Sequence, residues 1–185
     1  MSRQLAEYSA TARLIDGRLV SLRRLTAQDA EATLAFHQRL TDFERYYRFF
    51  TLNQIDLEHL VQSITEASDD RYSLGAFDAD RLIGVVHYVV VRDDPNVAEV
   101  AVAVAHEDHS LGVGTALLKH LAHIARAHGI ERFVADVLSE NHLMLTVLFD
   151  LGWCCKPTYY GAIQHVEIEL PDVPDELSSG ANAIP

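Results

Sequence analysis

The chain reads as an α/β protein built on a mixed, mostly antiparallel sheet flanked by helices. Apolar–polar alternation marks several short strands, and 3.6-residue periodicity marks the segments between them. The two kinds come in the order strand, helices, three strands, helix, strand, helix, two strands, which is an α/β succession. A length of 185 residues with 49% hydrophobic side chains bounds one domain with a sizeable core and argues against disorder.

Met1 to Arg13 is polar without clear periodicity and reads as a loose end, so the domain is expected over 14–170. Leu19 to Leu25 alternates as a first strand. Thr26 is placed to cap a helix from Gln28 to Arg39, and Thr41 or Asp42 to cap a second over Leu40 to Phe50. Asp56 to Thr65 gives a third helix. Strands near Tyr72–Phe77 and Arg81–Val91 join through Asp78-Ala79-Asp80, a hairpin-turn composition, and Asp93-Asp94-Pro95-Asn96 marks a second turn. An alternating strand through Val100, Val102 and Val104 then leads into a helix running to about Ala127, stopped at Gly129. In that helix Leu117, Leu118, Leu121, Ile124 and Ala125 form an apolar stripe, the core face. A strand over Arg132–Leu138, a helix opened by Asn141, and strands around Cys154–Tyr160 and Ile163–Leu170 complete the domain. Residues 171–185, with Pro171, Pro174 and Pro185, read as a flexible tail.

Composition narrows the function classes. A net charge of −12, from 27 acidic and 15 basic residues, repels nucleic acid and anionic membranes and suits a cationic acceptor. No apolar run reaches the ~18–20 residues of a membrane span, and no signal-peptide pattern opens the chain. The two cysteines, Cys154 and Cys155, are adjacent and poorly placed for an unstrained disulfide, so a cytoplasmic location is expected. Of the ten histidines, His120 and His123 are spaced i,i+3 and His128 follows, but no cysteine or paired carboxylate completes a ligand set, so no metal is expected. His37 and His87 could line an acceptor pocket, although packed, satisfied histidines are the simpler reading.

The stretch Ala98 to Leu118 carries the chemistry. A strand ends in a short polar turn, and Gly112 and Gly114 open an apolar helix. Unpaired N–H groups at a helix start favour an anion, and glycines let phosphates approach the main chain. The residues exclude two familiar phosphate loops: Gly114 is followed by Thr115-Ala116 rather than Lys-Ser/Thr, and Leu117 stands where a dinucleotide fingerprint needs a third glycine.

What remains, His109-Ser110-Leu111-Gly112-Val113-Gly114-Thr115, resembles the (Gln/Arg)-x-x-Gly-x-(Gly/Ala) acetyl-CoA loop of the GNAT superfamily of N-acetyltransferases, with His109 for the usual Gln or Arg and Ser110 for a frequent Gly. Downstream, Asn141, Met144, Val147, Gly152 and Trp153 fall at that superfamily's spacings. Asn141 also suits a helix N-cap, and both roles are compatible. The resemblance implies the GNAT fold and acetyl-CoA as co-substrate. Val102 and Val104 would bind the pantetheine arm through backbone groups, and the amides of Leu111 to Thr115 would hold the pyrophosphate with help from Asn141.

Acetyl transfer to an amine needs a base and a stabilised carbonyl oxygen. Glu99 shares a strand face with the small Ala101 and Ala103 and is the candidate base; Glu107, in the loop, is second. Many relatives place a Tyr seven residues after the Asn as general acid. Here that position is Leu148, beside Phe149, and Tyr159 and Tyr160 read as strand residues. A closer resemblance lies upstream. Arg45-Tyr46-Tyr47-Arg48-Phe49-Phe50 resembles the RYxRFF signature of bacterial protein lysine acetyltransferases, and Leu22–Leu25, Gln28–Ala30 and Ala98–Ala101 are similar to theirs as well. It implies direct transfer to a protein lysine, with an acyl-CoA synthetase as acceptor. The alternatives are a small-molecule amine acetyltransferase and a non-catalytic acyl-CoA-binding module; a homodimer stays open.

Overall fold

The computed structural model describes residues 8–49, 55–153 and 155–172. An eight-stranded sheet forms in the order β1-β2-β3-β4-β5-β6-β8-β7, from β1 (Ser9–Arg13), β2 (Leu19–Arg24), β3 (Arg71–Asp78), β4 (Arg81–Val91), β5 (Asp94–Val104), β6 (Arg132–Leu138), β7 (Cys155–Tyr160) and β8 (Ile163–Glu169). Between described strands, β5 and β6 form the one parallel pair. The helices are α1 (Ala30–Arg39), α2 (Asp42–Phe49), α3 (Leu57–Thr65), α4 (Val113–Ala127) and α5 (His142–Leu151). None is long and apolar enough to cross a membrane.

Two sequence expectations are corrected. The end read as loose holds β1, whose Ser9–Arg13 pair antiparallel with Arg23–Leu19. Its polar composition belongs to an edge strand with one wet face, which leaves little hydrophobic pattern to read. The turn expected at Asp93–Asn96 is shorter. The strand resumes at Asp94 after a register shift at Val90/Val91, with Pro95 near the strand start where no ladder donor is needed. Phe50, Cys154, Pro174 and Pro185 lie outside the described residues.

Elsewhere local chemistry builds the elements as read. Thr41 closes a capping box on α2: its amide donates to Glu44 Oε2 at 2.7 Å, and the Glu44 amide donates to Thr41 Oγ1 at 3.3 Å. Asp56 caps α3 and Asn141 caps α5, accepting from the His59 and Met144 amides. The stripe from Leu117 to Ala125 is wholly buried, and with Leu74, Val86 and Phe133 it fills the core on one sheet face. Phe36, Leu40, Ile64, Phe77 and Val85 fill a second cluster on the other face, under α1 and α3. Burying such side chains supplies roughly 25 cal/mol per Å² of apolar surface, so both sheet faces are anchored before any ligand is considered.

Candidate active site

The parallel pairing of β5 with β6 stops after three residues, Val97 with Arg132, Ala98 with Phe133 and Glu99 with Val134. Beyond it β6 stays paired to β8, and β5 to β4 as far as Val104 opposite Gly84. The two strands splay, and one edge of β5 is left unpaired. The Ala105 amide donates to the Ile83 carbonyl on the β4 side at 2.9 Å. Backbone polar groups alternate sides along an antiparallel strand, so those of Val100, Val102 and Val104 face the splay.

The loop beyond β5 is tied down on several sides. Asp108, wholly buried, accepts from Arg18 Nη2 at 2.9 Å and from Arg81 Nη2 at 3.0 Å. The Ile15 amide donates to the Leu111 carbonyl at 3.0 Å. Ser110 and Gly112 both take left-handed conformations, φ 61° and 88°, which turn the chain sharply into α4. Among the described residues, the amides of Leu111, Gly112, Val113, Gly114 and Thr115 donate to no protein acceptor. The first paired amide is that of Ala116, onto the Gly112 carbonyl at 2.9 Å. Five donors at the start of a fifteen-residue helix therefore face outward together. A Cβ on Gly114 would meet Val104 and Val147 at ordinary contact distances, so protein packing does not demand a glycine there. It would instead take up space in the cleft that those residues line. The donor row and this spared volume fit a pyrophosphate-bearing ligand such as acetyl-CoA.

One cleft of about 750 Å³ joins these parts, a volume suited to a small-molecule ligand. It is lined by Glu99, Val102, Val104, the loop from His109 to Thr115, Asn141 and Leu148, and also by Glu44, Tyr47 and Arg48 from α2. Glu99 thus stands at the vertex of the splay, its side chain exposed into the cleft. Asn141 spends its Oδ1 on the Met144 amide, which leaves its NH₂ group as the available donor. His109 is held by the protein itself: its amide donates to the His106 carbonyl and its Nε2 to the Val104 carbonyl at 3.0 Å. Glu107 is exposed and pairs with Arg81 at 2.9 Å, away from the cleft. Leu148 is buried in the cleft wall, while Phe149 is 84% exposed and Tyr159 and Tyr160 are exposed on edge strand β7.

The α2 contribution escaped the sequence reading. Its signal was RYYRFF, which by itself reads as a helix with aromatic packing and exposed arginines. In the fold Tyr47 brings a phenol to the cleft, and Arg48 donates to His87 Nε2 at 3.2 Å. Burial pushes the Arg48 guanidinium down to about 10, and the nearby Glu99 charge works against that shift. Burial first, and then the Arg48 charge, push His87 down to about 3, so its imidazole is neutral and accepts the arginine's hydrogen bond. His37, buried behind it, donates from Nδ1 to the Thr33 carbonyl at 2.8 Å and is pushed by burial to about 4. Both histidines are packed and satisfied. His120 contacts the Tyr8 hydroxyl, His128 Nδ1 lies 2.7 Å from the Tyr88 hydroxyl, and His123 Nδ1 is buried without a hydrogen-bond partner.

A mixed sheet whose central parallel pair splays beside a glycine loop and a helix start defines the N-acyltransferase class of α/β folds. The profile of the acetyltransferase (GNAT) family matches residues 36–147, more than half of the chain, and the chain belongs to that family. An acetyltransferase of Pseudomonas aeruginosa is 28% identical over 147 residues, 76% of this chain and 77% of its own. The GNAT domain of S. lividans PAT superposes with a TM-score of 0.79 at 31% identity, over 88% of this chain and 97% of that one. A Salmonella typhimurium acetyltransferase structure described with its cofactor acetyl-CoA superposes at 0.63, 15% identical, over 84% and 96% of the two chains. At that identity the likeness speaks to the fold alone.

Proposed function

We propose that the chain is an acetyl-CoA-dependent N-acetyltransferase that moves an acetyl group directly to a primary amine, the acceptor being a protein lysine. The reading is carried by the five unpaired amides from Leu111 to Thr115, which open into the same cleft as Glu99. When bound, acetyl-CoA supplies an activated acyl thioester. The amides of Leu111 to Thr115 hold its diphosphate at the positive end of α4, Ser110 and His109 shape that loop, and the Asn141 amide group assists. The outward backbone groups of Val102 and the outward Val104 amide would pair with the pantetheine arm as an added strand would, the Val104 carbonyl being held by His109. Glu99 would take a proton from the acceptor's ammonium, directly or through one water, which frees the amine lone pair to attack the acetyl carbonyl, and coenzyme A would leave as its thiolate. The likeness to the S. lividans PAT domain supports a protein acceptor, and the net charge of −12 suits a cationic one.

Calorimetric titration with acetyl-CoA followed by a thiol-release assay tests the reading. Saturable one-to-one binding and turnover on a lysine-bearing acyl-CoA synthetase are expected. Turnover confined to a polyamine or an aminoglycoside would move the acceptor to small amines, binding without turnover would leave an acyl-CoA-binding module, and absence of binding would overturn the proposal.

A further inference from the structure

Glu44, on the first turn of α2, uses its two carboxylate oxygens unequally. Oε2 accepts the Thr41 amide in the capping box, whereas Oε1 is buried with no hydrogen-bond donor. Two imidazoles from the segment after β5 stand around that atom: His109 Nε2 at 3.0 Å, its proton aimed at the Val104 carbonyl, and His106 Nδ1 at 3.6 Å. The three atoms lie within 4.8 Å of one another, the one such histidine, cysteine and carboxylate cluster among the described residues. Glu44 and His106 are sixty-two positions apart, so no local spacing marks the set.

We propose that Glu44 Oε1, His106 Nδ1 and His109 Nε2 form a site for a first-row divalent cation, zinc in particular. Bonds of about 2.0–2.2 Å from nitrogen and oxygen to a tetrahedral zinc put its ligands roughly 3.3–3.6 Å apart, and the two observed spacings bracket that range. Two imidazoles and one carboxylate suit zinc and its neighbours rather than magnesium or calcium. A buried carboxylate oxygen without a donor is costly, and a cation removes that cost. His106 is 73% exposed, so the ion has a path from solvent and room for a water as fourth ligand. On binding, His109 gives up its Nε2 proton to solvent, or carries its proton on Nδ1 instead, and releases the Val104 carbonyl. The ion would then join α2, with Tyr47 and Arg48, to the segment that leads into the glycine loop.

Cobalt(II) titration of the full chain after treatment with a chelator tests this independently of any acetyl transfer. One equivalent should develop the visible absorption of tetrahedral cobalt, and zinc should displace it and raise the thermal midpoint. His106→Ala alters an exposed side chain, and Glu44→Gln keeps an oxygen for the Thr41 cap; each should weaken binding at least tenfold. His165→Ala, which disrupts a separate histidine–carboxylate pair with Asp136, should leave binding unchanged. No saturable absorption in the unmodified chain, or an unchanged titration in both site variants, would overturn the proposal.

Discussion

Glu99 faces Val134 in the last parallel pair between β5 and β6, and the two strands part immediately beyond it. A carboxylate one residue earlier would lie inside the ladder; at the vertex it meets whatever occupies the splay. Glu99→Gln keeps shape and polarity but removes the basic oxygen. Turnover should fall by about 10²–10⁴-fold, the usual worth of a positioned base, while acetyl-CoA affinity by calorimetry stays within about twofold. Equal turnover would clear Glu99 of the role.

Arg48 donates to His87 and feels the charge of Glu99, and its own charge is one of the forces holding His87 near 3. Arg48→Met removes that like charge but leaves the imidazole buried. The His87 midpoint, followed by NMR, should therefore rise from about 3 without reaching the unperturbed 6.5. A midpoint that does not move would show that the Arg48 charge has no part in setting it.

Much of the fold was legible because its signals are local. Asn141 before an apolar helix, glycines after an alternating strand, and a leucine stripe each depend on residues a few positions apart. The strand β1 was not legible, because a polar edge strand carries little hydrophobic alternation. The candidate site was half legible for a related reason. The loop from His109 to Thr115 announces itself, but the placement of Tyr47 and Arg48 near Glu99 depends on α2 packing over β5 from some fifty residues away. The approach of the His109 ring to Glu44 depends on that same helix. Sequence spacing is blind to both.

Ser110 adopts a left-handed φ of 61°, a region that costs a residue with a Cβ about 1–2 kcal/mol. Ser110→Gly removes that strain but adds unfolded-state entropy of about 0.5–1 kcal/mol, so a net gain of up to about 1.5 kcal/mol is expected in urea unfolding. Gly112→Ala is the mirror experiment. At φ 88° the new Cβ is strained wherever it points, and the strain exceeds the gain from a less flexible unfolded chain, so stability should fall by up to about 1.5 kcal/mol. Acetyl-CoA binding should weaken as well, because the neighbouring amides shift with the backbone. Improved binding by Gly112→Ala would contradict the assigned role of the loop.

Burial holds His37 near 4 and His87 near 3, both below the 6.5 of an unfolded histidine. Above about pH 6.5 neither state protonates them and their environment carries no penalty. As the pH falls below that value the unfolded chain takes up protons that the folded chain refuses. Stability is therefore lost progressively down to about pH 4 for His37 and pH 3 for His87. The limiting slope is about 1.4 kcal/mol per pH unit for each group. The acidic surface acts the other way, since protonating carboxylates relieves the self-repulsion of a −12 chain. The comparison must therefore be made within one background. Urea unfolding between pH 6.5 and 4.5 should show His37→Gln losing stability less steeply than the unmodified protein, by up to about 1.4 kcal/mol per pH unit, even if the variant starts lower at pH 7. Parallel profiles would mean that His37 titrates normally, and the inner face of α1 that carries it would then be open to water.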